Sequence, residues 1–288
     1  MKPKVTTIGK RSLLLVVLLS FVGSFFPVFV SQAQAKQTSC FAGIDYATPE
    51  PQKLKRALYV LIDETVPLTK NMKKRVMSLL SDWGKPGDMV KIARFSASYR
   101  DLYPELVYVN RIETKPGEQY LFNLSYKDKK KVLSCLDEQK TSFKTSFSRQ
   151  LNLSLNAINP KIPKSELLGS LKLLSKQVYM PDKAMEKTVF IITDGMENSS
   201  VASFYAKGKL RSIDSRKEIS KMRRKGMMGF WKKANVYIYG LGLMPDNKTY
   251  ARPEVVQKLK RFWEQYFVES GAKVKAIGAP ELLLTAID

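Results

Sequence analysis

Residues 57–63 read A-L-Y-V-L-I-D, and residues 188–194 read T-V-F-I-I-T-D. Continuous apolar runs of this length are typical of strands that are covered on both faces, as in a parallel sheet. In a doubly wound sheet, ligands bind outside the carboxyl ends of the strands, where the strand order reverses. The two runs therefore predict an α/β fold and a site that contains Asp63 and Asp194.

The other apolar patterns complete an alternation of strands and helices. In the first half we predict strands at 57–63, 89–95 and 105–112, a helix around 72–83, and helical structure at 127–158 as one helix or two. In the second half we predict strands at 188–194, 234–241 and 273–278. Helices are predicted from an N-cap at Ser165 to 178, in the basic segment after 194, and at 253–270. The strand at 105–112 is predicted to lie at a sheet edge, because Asn110 and Arg111 interrupt it. This order predicts a doubly wound, mostly parallel, Rossmann-like sheet flanked by helices. The phenylalanine and leucine stripe at 143–155 is predicted to be core.

The first 35 residues are typical of a secretory signal. Basic residues precede an apolar run from Leu13 to Val30, and an Ala-x-Ala sequence ends at Ala35. We predict cleavage after Ala35 and a periplasmic or extracellular location, with membrane association as a further option. The alternative is an uncleaved signal anchor, because the run is long enough to span a bilayer. Residues 36–52 are predicted to be an extended lead-in.

Export changes the interpretation of the only two cysteines, Cys40 and Cys135. An even number of cysteines in an exported chain usually pairs, so we predict a disulfide, with two free buried thiols as the alternative. The chain contains no histidine. This excludes catalytic triads, zinc sites and acid–base mechanisms that depend on histidine.

The chain is strongly basic, with 49 Lys and Arg against 26 Asp and Glu. The segment Lys207–Lys233 holds eleven basic residues against Asp214 and Glu218. One interpretation is a solvated helix face on a basic protein. The other is a patch for an anionic membrane, an envelope polymer or an acidic protein partner. Nucleic acid is not an expected partner, because aromatic residues suited to base stacking are sparse here.

Four stretches, in order and in register, resemble the von Willebrand factor type A (vWA) domain family. They are L-Y-V-L-I-D-E-T-V-P at 58–67, G-D-M-V-K-I-A-R-F-S at 87–96, S-E-L-L-G-S-L at 165–171 and F-I-I-T-D-G-M-E-N-S-S at 190–200. The sequence Gly240-Leu241-Gly242 after a strand is also similar. The resemblance implies a vWA-like domain at 53–288 that carries a helical insertion at about 100–160.

The resemblance also implies a divalent cation site. Family members bind the cation through a D-x-S-x-S loop, a threonine from a second loop and the aspartate before the D-G turn. The matching residues here are Asp63, Thr65, Ser165 and Asp194. Pro67 stands in place of the second hydroxyl, so the metal-ion-dependent adhesion site is degenerate. Two carboxylates and two hydroxyls still suit a weakly held Mg²⁺. The alternative is that Asp63 and Ser165 cap helices and Asp194 holds a turn.

The resemblance implies an exported, non-catalytic module that binds another protein through its switch-point loops, with or without Mg²⁺. The rival hypothesis is a haloacid dehalogenase-like phosphohydrolase that uses Asp63 as its nucleophile. Such enzymes place an aspartate as general acid two residues after the nucleophile, and that position is Thr65 here.

Overall fold

The computed structural model describes residues 38–44, 46, 54–66, 68–96, 104–159, 162, 165–206, 209–244 and 249–287. The predicted signal sequence at 1–35 and Pro67 lie outside the described residues, as does most of the lead-in. Within the described part of the chain, no helix is both long and apolar enough to cross a membrane.

Eight strands and six helices are present in these ranges. The strands are β1 (Arg56–Asp63), β2 (Asp88–Phe95), β3 (Glu105–Arg111), β4 (Glu186–Ile192), β5 (Tyr205–Ala206), β6 (Lys209–Leu210), β7 (Ala234–Tyr239) and β8 (Lys273–Ile277). The helices are α1 (Lys70–Leu79), α2 (Glu118–Asn123), α3 (Tyr126–Asn156), α4 (Leu167–Leu174), α5 (Ser215–Arg224) and α6 (Pro253–Glu269), and a π-helical turn at Ser175–Tyr179 follows α4.

Six of the strands form one sheet in the order β3-β2-β1-β4-β7-β8. Only β3 pairs antiparallel, and it lies at one edge of the sheet, as predicted. After β1 the chain builds outward through β2 and β3, and it then returns to place β4 on the other side of β1. The predicted doubly wound α/β fold is confirmed, and its switch point lies between β1 and β4.

The sheet separates two hydrophobic cores, because successive side chains of a strand point to opposite faces. Tyr59 and Leu61 pack on the face covered by α4, α5 and α6. Val60 and Ile62 pack on the face covered by α1 and α3. The stripe at 143–155 lies in this second core as predicted, since Phe143 and Leu155 are fully buried.

The helical segment after β3 contains one long helix. α3 runs for 31 residues from Tyr126 to Asn156, and its N-cap Ser125 accepts a hydrogen bond from the backbone N–H of Asp128. Cys135 on this helix forms the predicted disulfide with Cys40, with the two Cα atoms 5.6 Å apart. Residues 40–43 form a turn, so the extended structure predicted for the lead-in is wrong there. Both oxygens of the Glu113 carboxylate hold this turn, through Ser39 Oγ and the N–H of Cys40.

The helix predicted to reach residue 178 changes its hydrogen-bonding pattern at Ser175. α4 ends at Leu174 and continues as the π-helical turn. The Ser175 hydroxyl donates to the Lys172 carbonyl at 2.6 Å and accepts the N–H of Phe230 at 2.9 Å. A serine that bonds to nearby backbone competes with the regular helical ladder, which explains the change.

Candidate functional site

Asp63 is the last residue of β1, and its carboxylate is completely buried at the switch point. Oδ1 accepts hydrogen bonds from the Thr65 N–H at 3.0 Å and from Thr65 Oγ1 at 2.6 Å. Oδ2 accepts from Ser165 Oγ at 3.2 Å and from Thr193 Oγ1 at 3.0 Å. Three loops therefore supply donors to one carboxylate, which offsets the cost of burying it.

Asp194 lies in the loop after the neighbouring strand. β4 ends at Ile192, so the predicted strand to residue 194 is two residues too long. Asp194 Oδ1 accepts the Met196 N–H at 2.8 Å, and its carbonyl accepts the N–H of Gly242 at 2.9 Å. Gly195 takes a φ of +73°, a conformation that costs glycine little and that turns the chain away from the sheet.

The two carboxylates influence each other across the crevice. Burial raises the pKa of Asp63, although the hydrogen bonds from Thr65, Thr193 and Ser165 act in the opposite direction. Burial also raises the pKa of Asp194 well above its usual value, and the negative charge of Asp63 raises it further. The structure thus places Asp63, Thr65, Ser165 and Asp194 at the carboxyl end of β1 and β4, in a site where two ionised carboxylates repel.

The alternative interpretation, in which Asp63 and Ser165 cap the helices that follow them, is wrong. α4 has Glu166 as its N-cap with no side-chain hydrogen bond, and the Ser165 hydroxyl turns to Asp63 instead. α1 is capped by Thr69, which accepts from the Met72 N–H at 3.2 Å, and not by Asp63. Asp194 does hold a turn, through the Met196 N–H, and Asp63 makes the same kind of contact with the Thr65 N–H. The buried Asp63 carboxylate needs donors, whereas the start of α4 does not depend on the Ser165 side chain.

Two residues of this region were not predicted from the sequence. Thr193 donates to Asp63 and also accepts the N–H of Gly195 at 3.1 Å. The available sequence signal for Thr193 was a hydroxyl residue immediately before Asp194. Glu197 is fully buried, and its Oε2 accepts the Leu168 N–H at the start of α4 at 3.0 Å. Burial raises the pKa of Glu197 to about 7. The sequence gives no sign of that burial, because Glu197 stands in a polar turn.

The donor atoms of the site fit a hard cation. Asp63 and Asp194 supply carboxylates, and Thr65, Ser165 and Thr193 supply hydroxyls, which are the oxygen ligands that Mg²⁺ prefers. In the described residues no group of three or more Asp, Glu, Cys or His side chains could hold a metal. A cation at the switch point would therefore rely on two carboxylates, with hydroxyls and water completing its coordination.

The basic segment Lys207–Lys233 is not a single helix face. Lys207 and Gly208 lie outside the described residues, and the remainder forms β6, α5 and the loop that leads to β7. Arg211 pairs with Glu218 at 2.7 Å, so part of the charge is neutralised. Most of the other basic side chains of the segment that the structure describes are exposed, namely Arg216, Lys217, Arg223, Arg224, Lys225, Lys232 and Lys233.

No family model and no curated protein matches the chain. Among solved structures, an aerotolerance-related membrane protein from Bacteroides fragilis aligns with a TM-score of 0.34 and 14% identity, over 80% of this chain and 92% of that one. BatB from Bacteroides thetaiotaomicron aligns with a TM-score of 0.33 and 12% identity, over 77% of this chain and 88% of that one. Proximal thread matrix protein 1 from the mussel byssus aligns with a TM-score of 0.33 and 10% identity, over 75% of this chain and 47% of that one. A structure of that protein with a zinc-occupied MIDAS motif is also similar to this chain. Similarity at this level does not establish family or function.

Proposed function

We propose that the chain is an exported, non-catalytic vWA-like module that binds another protein through the loops at its switch point. The observation that carries the proposal is the pair of buried carboxylates, Asp63 and Asp194, at the one place in the sheet where strand order reverses. The loops that follow β1, β4 and β7, together with the turn before α4, meet there, since Gly242 and Ser165 bond to Asp194 and Asp63. Crevices of this kind are the usual ligand sites of such sheets.

We further propose that a weakly bound Mg²⁺ assists this binding. Asp63, Thr65, Ser165 and Asp194 would hold the ion, and Thr193 orients the Asp63 carboxylate by its hydrogen bond. A bound cation would relieve the repulsion that raises the pKa of Asp194. An acidic side chain of the partner would then be attracted to the same ion. Pro67 supplies no oxygen ligand from its side chain, which favours weak affinity.

The phosphohydrolase alternative is disfavoured by the surroundings of Asp63. Asp63 is 0% exposed and both of its oxygens accept two hydrogen bonds, which leaves no free oxygen for nucleophilic attack. A cation would have to displace some of these donors, which again favours weak affinity. Thr65, at the position of the general acid, instead donates to Asp63. These contacts support a binding site rather than a catalytic one.

Export, cleavage after Ala35 and a periplasmic or extracellular location belong to the same proposal. The Cys40–Cys135 disulfide supports them, because disulfides persist in oxidising compartments. Contact of Lys207–Lys233 with an anionic membrane or envelope surface also stays a prediction.

Thermal unfolding with and without Mg²⁺ tests the cation site. At a free concentration ten times its dissociation constant, the ion should stabilise the fold by about 1.4 kcal/mol. For a domain of this size, that corresponds to a rise of about 3–5 °C in Tm. Asp63→Ala and Asp194→Ala should abolish the rise, because each removes a charged ligand.

Asp194→Asn separates loss of the ligand from loss of the fold. It removes one of two repelling charges, so it should not lower Tm without Mg²⁺, yet it should abolish the response to Mg²⁺. The exposed Asp137→Asn on α3 is the matched control and should keep the full response. An unchanged Mg²⁺ response in Asp194→Asn would refute the cation site.

A further inference from the structure

A groove of about 560 Å³ lies at the end of the sheet opposite the carboxylate pair. It is bounded by the π-helical turn, the start of β4, the loop 229–233 before β7 and the end of α6. β4 has seven residues, so the groove and Asp194 lie about 20 Å apart along the strand direction. The groove is therefore separate from the candidate cation site.

The groove has an apolar rim. Met180 is 53% exposed, Met185 is 74% exposed and Phe230 is 44% exposed. Single exposed apolar side chains are ordinary on a protein surface, but three of them lining the same groove form a patch. Methionine and phenylalanine side chains of this kind adapt to, or insert into, an apolar phase.

The same groove is strongly positive. Four lysines line it: Lys183, Lys187, Lys232 and Lys233. Lys187 is committed within the fold, because its ammonium donates to the Tyr179 carbonyl at 3.1 Å and lies over the Tyr179 ring. The other three are exposed and form no ion pair with another described residue. The two acidic residues of the lining are already neutralised. Asp182 pairs with Lys91 at 2.8 Å, and Glu269 pairs with Arg223. The groove thus combines unpaired cations with exposed apolar side chains, which is the composition of an interfacial membrane site.

Two local features show that the groove is costly to maintain. Lys233 has a φ of +65°, a left-handed conformation that glycine would adopt at lower cost. The Ser270 hydroxyl is buried and lacks a hydrogen-bond partner among the described residues. The strained lysine, which is exposed, is a feature expected of a ligand-binding surface. The buried Ser270 hydroxyl is a local cost of the packing beneath the groove.

The chain enters the domain at this same end. The carbonyl of Leu54, just before β1, accepts the N–H of Met185 at 3.1 Å. The sequence that precedes Leu54 includes the apolar run at 13–30. Between that run and Leu54 the chain is also held at Cys40 by Glu113, which follows β3. The end of β3 lies beside the start of β2, so this attachment is at the same end of the sheet. A retained anchor would therefore hold this end near the bilayer.

We propose that the groove is a docking site for an anionic lipid bilayer. Met180, Met185 and Phe230 enter the interface, and the exposed lysines of the groove, Lys183, Lys232 and Lys233, contact lipid phosphates. Docking in this way orients the Asp63 and Asp194 crevice away from the membrane, toward a partner. The proposal does not depend on the cation site. The groove is a more defined surface than the whole segment Lys207–Lys233. Two of its four lysines, Lys183 and Lys187, lie outside that segment.

A polarity-sensitive fluorophore on the full chain tests the docking site. The label is attached through Met185→Cys, and the protein is combined with vesicles of phosphatidylcholine alone or mixed with phosphatidylglycerol. Emission should shift to the blue only with phosphatidylglycerol. The same label placed through Leu283→Cys, an exposed position in the chain after β8, should not respond. Because these readouts are local, they apply whether or not the run at 13–30 is retained.

Charge variants in the labelled protein complete the test. Lys232→Gln and Lys233→Gln should each lower the ratio of docked to undocked protein about fivefold, as expected for a lysine at an anionic surface. Lys217→Gln removes the same single positive charge at the far end of α5, and it should lower the ratio of docked to undocked protein less than about twofold. Equal effects of Lys217→Gln and Lys232→Gln would show diffuse attraction and overturn the proposal. No blue shift at Met185 would also overturn it.

Discussion

At the scale of single residues, the proposed function depends on carboxylates that the fold buries. Asp63 tolerates burial because three hydroxyls and one backbone N–H donate to it. Asp194 receives fewer donors and faces the charge of Asp63, which raises its pKa further. Glu197 is buried on the side of α4, where hydrogen bonds lower its pKa less than burial raises it. Each acid is therefore stabilised in its protonated form to a degree that its neighbours determine.

Glu197 should make the stability of the protein depend on pH. Its pKa of about 7 in the fold is above the usual 4.5, so its contribution is complete below about pH 4.5 and is lost as pH rises through 7. The loss is about 3 kcal/mol in the free energy of unfolding. Glu197→Gln should remove that loss, which denaturant unfolding at pH 5 and pH 8 will measure.

The exposed Glu254→Gln on α6 is the control for losing one negative charge. Because Asp63 and Asp194 titrate in the same direction, only the difference between each variant and the parent protein is informative. A parallel pH dependence in Glu197→Gln and the parent would contradict the assignment.

At the scale of elements, the long helix α3 is the link between the lead-in and the sheet. Its buried face carries Phe143 and Phe147 into the core beneath β1 and β2, and Cys135 holds Cys40 near its start. The turn at 40–43 is also held by Glu113, by Lys131 Nζ on the Ala42 carbonyl, and by Phe41 in a small apolar cluster with Leu121. The disulfide adds a covalent constraint to these contacts.

Removing the disulfide should cost about 4 kcal/mol in the free energy of unfolding, because it closes a long loop. The two cysteines are 95 residues apart in sequence. The double variant Cys40→Ser/Cys135→Ser should unfold at a lower urea concentration than the oxidised protein. Addition of a reductant should lower the midpoint of the parent protein and leave that of the double variant unchanged. Alkylation of both cysteines in the native, unreduced protein would contradict the pairing.

At the scale of the whole molecule, the six-stranded sheet has a proposed site at each end and two edges. The carboxylate pair lies at one end and the basic, apolar groove at the other. β1 and β4 are flanked by strands on both sides, whereas β3 and β8 each pair on one side only. Cooperative opening should therefore begin at the edges and reach β1 and β4 last.

Amide hydrogen exchange tests this arrangement. The amides of 57–63 in β1 and 188–192 in β4 should exchange only through global unfolding, because these strands pair on both sides and the side chains in these ranges are buried. The amides of β8, whose side chains alternate between exposed and half-buried, should exchange faster. Equal protection of β8 and β1 would contradict the expected order.

Much of the fold could be predicted from the sequence, because the relevant signals are local. The apolar run at 57–63, the four-residue spacing of the stripe at 143–155 and the polar interruption at Asn110 each describe how a short segment meets water or core. From them follow a parallel sheet, a core-facing helix and an edge strand. Within the candidate site, Asp63 and Asp194 were predicted from their positions at the ends of two apolar runs. Thr65 and Ser165 were carried over from a family resemblance.

Tertiary structure decided which atoms meet. Ser165 and Thr193 reach the Asp63 carboxylate from positions 102 and 130 residues away in sequence, so no local pattern distinguishes them from a helix cap or a strand residue. Glu197 is buried against the start of α4, and the strained Lys233 donates its N–H to the Gly271 carbonyl. Both features therefore depend on packing between segments that are distant in the chain. Periodicity in a sequence reports which face of an element is apolar. The partners of a buried charge depend on how separate elements are brought together, and that depends on the whole fold.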